Sequence, residues 1–314
     1  MASQIYAFDG DRLRPIEMLA TRPLRWAAWQ GERCLLAGNG GTALWYDPST
    51  SPRAGSHRFE LLDTGTKQNL RGAAFSPDGS EALLAGNRGF VLHYDGTSVR
   101  RIAAPTHENL RRVAWHPDGR FALIVGNAGT VLRYEGGSLT PVPGDRAHTL
   151  RTVAWKPDGA YALVGAYASR YAGYPRPHAL YKCDGLYLQA LLTSDDEDDF
   201  VAIDWHPSGT HALIAGYAYQ GERGVAANKL LSYDGSGFTS RAVEASGALL
   251  GAAWHPSGQY ALLCGENGAL LRYDGEHVEQ IASGTEDNLV GPFWHPSGAS
   301  ALFLRGPSDR VYTV

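Results

Sequence analysis

The chain has 314 residues, of which 44% are apolar, with a net charge of −4 and a pI near 6.3. No block of Lys or Arg offers the phosphate-contacting face that nucleic-acid binding needs, and Lys67, Lys156, Lys182 and Lys229 are the only lysines, so that class of partner is excluded. No apolar run approaches the ~18 residues of a membrane helix, so no membrane partner is expected either.

In chain order, Ile5–Phe8 and Leu13–Leu19 read as a third and a fourth strand that lack a first and a second. One phrase then recurs: Trp29-Gln30-Gly31, Phe75-Ser76-Pro77-Asp78-Gly79, Trp115-His116-Pro117-Asp118-Gly119, Trp155-Lys156-Pro157-Asp158-Gly159, Trp205-His206-Pro207-Ser208-Gly209, Trp254-His255-Pro256-Ser257-Gly258 and Trp294-His295-Pro296-Ser297-Gly298. The aromatics are spaced by 46, 40, 40, 50, 49 and 40 residues. Around Trp115 the predicted strands are Leu110–Trp115, Arg120–Val125, Thr130–Tyr134 and Ser138–Val142. Pro and Gly shape the first turn between them, and glycines shape the next. Second strands such as Ala82-Leu83-Leu84-Ala85 are continuously apolar, as strands buried on both faces must be. Turns such as Gly38-Asn39-Gly40-Gly41 open no helix and so cradle no phosphate; Asn39, Asn87 and Asn127 are read there as residues tolerant of left-handed backbone. The last strands are Val290–Trp294, Ala301–Leu304 and Val311–Val314.

Repeats of this length with four strands each predict an all-β fold: a seven-bladed β-propeller of four-stranded antiparallel blades. The amino-terminal segment 5–19 is expected to pair with 290–314, so that the N-terminal strand completes the last blade and closes the ring. The whole of 1–314 then forms a single domain. One strand is surplus in this scheme, because Ile5–Phe8 and Val311–Val314 both read as third strands.

Third strands ending Tyr-Asp stand where WD40-like repeats carry Trp-Asp. The stretch Leu110–Trp115 with Val125-Gly126-Asn127-Ala128-Gly129-Thr130-Val131-Leu132-Arg133-Tyr134 resembles the repeats of Ycf48-like (YVTN-type) photosystem-assembly-factor propellers. The resemblance spans essentially the whole chain and implies the propeller fold. The Gly-His pair of WD40 repeats is missing here, and neither family's partner follows from it.

Turns between strands two and three share one face with the connections between blades, and this variable face is where function is expected. Four residues before each of the first four aromatics stand Arg25, Arg71, Arg111 and Arg151; the later repeats have Val201, Leu250 and Val290. Side by side, these guanidinium groups require either carboxylates such as Glu108 or Asp199, in ion pairs between blades, or an anionic ligand. Two long loops add Tyr167, Tyr171, Tyr174, Arg176 and His178, and Tyr217 and Tyr219, whose rings with polar tips suit recognition. The run Asp195-Asp196-Glu197-Asp198-Asp199 matches no calcium loop and reads as a solvated connection or as acids facing the arginines. His116, His206, His255 and His295 recur one per repeat, a spread that turn structure explains and one metal ion does not; no metal or cofactor is expected.

These residues predict a recognition scaffold for a protein or peptide partner, or for a small anionic molecule. The alternative is a hydrolase or lyase at the channel mouth, with His107, His148, His178 and Asp199 as candidates. The amino terminus lacks the pattern of an export signal, and Cys34, Cys183 and Cys264 are odd in number, so free thiols and a cytoplasmic location are expected.

Overall fold

The computed structural model describes residues 5–18, 22–49, 59–145, 148–167, 178–193, 198–219 and 225–306. One sheet sets the pattern. Leu110–Trp115, Phe121–Gly126, Val131–Glu135 and Ser138–Pro141 pair antiparallel in that order, as a meander. Its first turn is built as its residues dictate: Gly119 takes φ 76°, and its N–H donates to the His116 carbonyl at 2.9 Å. Five sheets have four strands and one has eight. The eight-stranded sheet is two such meanders, one ending at Leu188–Thr193 and one starting at Asp198–Trp205, joined where Tyr167 pairs with Asp199.

The second strands lie at the centre of the packing. Leu83 and Leu123 are fully buried, because alternate residues of each strand face the preceding and the following sheet. Leu83, Ala85 and Val91 of one sheet thus share a cluster with Val113, Trp115 and Ile124 of the next. At the chain ends, Ile5–Phe8 pairs antiparallel with Ala301–Arg305, Ile5 opposite Leu304, and Leu13–Ile16 forms the outer strand. The predicted strand Val311–Val314 lies outside the described residues.

Two kinds of hydrogen bond join neighbouring sheets. In the first, the repeated indole N–H donates to the backbone carbonyl just before the preceding sheet's aromatic. Trp115 bonds Ala74 at 3.1 Å, Trp155 bonds Ala114 at 3.2 Å, Trp205 bonds Ala154 at 3.3 Å and Trp294 bonds Ala253 at 3.3 Å. Trp29 makes the same bond to Phe293 of the last sheet at 3.0 Å. In the second, His206 and His255 accept backbone N–H groups at Nδ1, from Ser208 and Ser257, so the ring proton is assigned to Nε2. That Nε2 lies 3.0 Å from the carbonyls of Gly258 and Gly298 in the next sheet's turn. His116 reaches Gly159 in the same way. The recurring histidines therefore hold sheets together. His295 continues the pattern by packing edge-to-face on Trp29, ring centroids 4.7 Å apart.

Two seams lack the indole bond. Phe75 has no side-chain N–H, and there the Gln30 amide bonds the Gly79 carbonyl instead. Trp254 Nε1 is buried without a partner among the described residues, while its backbone N–H donates to Asp204 Oδ2 at 2.8 Å. These seams make a differential prediction. Trp155→Phe strands the Ala114 carbonyl, whereas Trp254→Phe removes a donor that bonds nothing. Both lose the same ring area, so urea unfolding should show Trp155→Phe to be the more costly by ~1–2 kcal/mol. Equal costs would mean that the indole bonds contribute nothing.

Candidate functional site

Opposite the Pro-x-Gly turns, each inner strand opens with a break in register. The pairing skips between Leu24 and Trp26, Leu70 and Gly72, Leu110 and Arg112, and Leu150 and Thr152. The skipped residues are Arg25, Arg71, Arg111 and Arg151. A bulge takes the extra residue out of the inward–outward alternation and re-aims its side chain. Val201 and Leu250 occupy the same bulge in later sheets without a charge.

Asparagines hold three of these arginines. Arg25 Nε donates to Asn39 Oδ1 and Arg111 Nε to Asn127 Oδ1, both at 2.9 Å, and Arg71 makes the same bond to Asn87. This corrects the reading of the asparagines as left-handed residues. In those turns the positive φ falls one residue later, at Gly40 (62°), Arg88 (56°) and Ala128 (51°). The Arg151 guanidinium instead lies over the Tyr167 ring, 4.4 Å from its centroid.

The four arginines feel one another. Burial is the main cause lowering the pKa of each of Arg25, Arg71 and Arg111, and neighbouring guanidinium groups come next. Arg151 acts on Arg25; Arg25 and Arg151 act on Arg71; Arg151 and Arg71 act on Arg111. Arg71 is pushed down to about 10 and Arg111 to about 9, so both remain cationic at neutral pH. Among the described residues no carboxylate pairs with any of the four. The expected ion pairs with Glu108 or Asp199 are not made: Glu108 is exposed, and Asp199 is buried in a strand whose backbone pairs with both Tyr167 and Tyr217.

The Tyr-rich segments are more regular than expected. Tyr217 and Tyr219 belong to the strand Ala212–Tyr219, which pairs with Val225–Tyr233, rather than to a loop. Tyr217 is only 7% exposed and packs with Val201, Ala248 and Tyr167, so it supports the rim and is not an open contact surface. Burial and the nearby Tyr167 and Asp199 push its hydroxyl pKa up. Asp198 and Asp199 likewise begin the strand Asp198–Trp205 and are not part of a solvated connection; Asp198 lies 3.4 Å from Lys229. His178 opens the strand His178–Cys183, and His107 is exposed. Tyr171, Tyr174, Arg176 and Asp195–Glu197, with the side chains of His178 and Tyr219, lie outside the described residues.

A cavity of about 150 Å³ is lined by inner-strand residues of several sheets, including Val201, Leu250 and Val290, which stand where the other repeats have the arginines. Sequence reading missed its two charged residues. Arg112 lies over the Trp26 ring at 3.7 Å and donates through one terminal nitrogen to the Arg71 and Arg111 carbonyls, each at 2.9 Å. Asp204 is a buried carboxyl pushed up to about 7, chiefly by desolvation. The signal for it was the residue before each aromatic: Ala28, Ala74, Ala114, Ala154, Ala253 and Phe293 are apolar where Asp204 is charged.

No protein-family model matches the chain, and no curated protein is similar to it in sequence. Solved structures do match: 1219 chains share its fold, which is that of a β-propeller. One of them, YCF48 bound to D1 peptide, superposes with a TM-score of 0.66 over 96% of this chain and 97% of that one, at 14% identity. At that identity the likeness is one of fold, and a fold so widely shared selects no function.

Asp204 gives the site a measurable pH dependence. Its pKa is raised above the ordinary value of 3.8, so between pH 4 and 7 the folded chain holds a proton that the unfolded chain has lost. Its contribution is present at low pH and is lost as pH rises through about 7. Asp204→Asn keeps an acceptor for the Trp254 N–H and should remove this decline, raising stability at pH 8 by about 1–4 kcal/mol. Parallel stability–pH curves for parent and variant would contradict it.

Proposed function

We propose that the chain is a seven-bladed propeller that binds a carboxylate-bearing peptide segment of a protein partner at the arginine face. In this reading Ile5–Phe8 and Leu13–Ile16 complete the last blade, closing the ring of a single domain over 1–314. Support for closure comes from the seam bond Trp29 makes to Phe293 and from the neighbouring of the last inner strand, Leu289–Trp294, with the first, Leu24–Gln30. The buried free thiols of Cys34, Cys183 and Cys264 accord with work in the reducing cytoplasm.

One observation carries the reading. Arg25, Arg71, Arg111 and Arg151 are oriented by Asn and Tyr partners, crowd one another, and have no carboxylate among the described residues. Asparagine oxygens fix direction without neutralising charge. A ligand's carboxylate would offset the mutual repulsion and the desolvation together. That the similar fold of YCF48 is bound to D1 peptide favours a peptide as the source.

The test is binding of fluorescent acidic peptides, with free or amidated C-terminus, to the parent chain and to Arg71→Ala and Arg111→Ala. Each substitution should weaken binding by ~10-fold or more, and affinity should fall with added salt. Peptide binding that is absent, or equal in all three proteins, would overturn the proposal. Turnover of any peptide during the assay would point to the enzyme alternative.

A further inference from the structure

The inner strands present two alternating positions to the channel, three residues and one residue before each aromatic. At the first position stand Trp26, Gly72, Thr152, Ala202, Gly251 and Gly291, and at the second Ala in five repeats and Phe293 in the last. Two charged side chains interrupt this neutral lining: Arg112 at the first position and Asp204 at the second. Both border the same cavity of about 150 Å³, with Trp26, Thr152 and Phe293. From this geometry we infer that the axial cavity is a binding site for a small zwitterion of amino-acid size, its carboxylate held by Arg112 and its ammonium by Asp204.

Each charged group is built for a partner it lacks. One terminal nitrogen of Arg112 is occupied by the Arg71 and Arg111 carbonyls, and the Trp26 ring supports the guanidinium plane. Its Nε is buried and has no acceptor among the described residues. One terminal nitrogen is thus anchored, and the other, which bonds nothing among the described residues, has hydrogens to give to a carboxylate. Asp204 uses Oδ2 for the Trp254 N–H, and no Lys, Arg or His among the described residues pairs with it. Desolvation pushes it up to about 7, the behaviour of a carboxylate without a counter-ion.

The two groups do not neutralise each other, because they stand two residues apart along the strand direction and on non-adjacent sheets. At ~3.3 Å per residue the offset along the strands is ~7 Å. A ligand joining them must bridge this offset and the width of the cavity, so the spacing between its carboxylate and its ammonium decides which zwitterion fits. The volume agrees with the chemistry, since a cavity of ~150 Å³ holds a molecule of about benzene size. An acidic peptide is too large for it, so this site stands apart from the one proposed at the arginine face, and either can fail without the other.

Isothermal titration calorimetry of the full chain tests the assignment with glycine, β-alanine and γ-aminobutyrate, against propionate and propylamine as single-charge controls. At least one zwitterion should bind saturably at 1:1. It should bind ~10-fold or more tightly than either control and be weakened ~10- to 100-fold by Arg112→Gln and by Asp204→Asn. Circular dichroism establishes that both variants fold; where Arg112→Gln does not, Asp204→Asn alone carries the test. Equal binding of propionate, binding unaffected by a folded variant, or no binding of any zwitterion would overturn the proposal.

Discussion

An indole N–H donated across a seam to the carbonyl of the sheet before it is the bond on which the rest of the structure depends. Each four-stranded meander has one face toward its predecessor and one toward its successor, and apolar packing alone lets such sheets slide. The indole removes that freedom, because its donor is buried and must find an acceptor. Trp115, Trp155, Trp205 and Trp294 find it at the same place, and Trp29 finds it on the last sheet, at Phe293. The histidine-to-glycine bonds repeat the constraint at the rim.

Fixed seams fix the inner strands, and the inner strands carry the bulges. Because each bulge lies at the same depth, Arg25, Arg71 and Arg111 are brought close enough to one another and to Arg151 to be disfavoured by neighbouring guanidinium groups. A loose assembly would let these side chains part. This one holds them, with Asn39, Asn87 and Asn127 as neutral braces. The arrangement costs stability, a cost that the proposed carboxylate ligand would offset.

The repeats, strand order and inner-strand boundaries were legible because aromatic, turn and apolar run mark every unit; Leu110–Trp115 is found where the residues place it. That the amino-terminal segment pairs with the carboxyl-terminal one was legible from the missing strands at the two ends, but whether Ile5–Phe8 or Val311–Val314 lies beside Ala301–Arg305 was not. The bulges were not, since an extra residue in a strand leaves no composition signal. The bracing asparagines were misread because Asn also suits tight turns. Their true signal was joint occurrence: Asn39, Asn87 and Asn127 accompany Arg25, Arg71 and Arg111, whereas Glu266 occupies that turn position where Leu250 replaces the arginine. Tyr217 and Asp199 looked like surface residues because the strands Ala212–Tyr219 and Val225–Tyr233 run on past the length of their counterparts. The cavity charges Arg112 and Asp204 were hidden by the bulge, which shifts the alternation of the residues along the strand.

Hydrogen exchange of the indole protons, followed with ¹⁵N-labelled tryptophan, tests the central claim most directly. The account predicts that Trp29, Trp115, Trp155, Trp205 and Trp294 exchange together and slowly, at the rate of global unfolding, with Trp29 as protected as the rest. Exchange at Trp29 orders of magnitude faster than at Trp155 would contradict it, because the seam between first and last sheets would then open on its own.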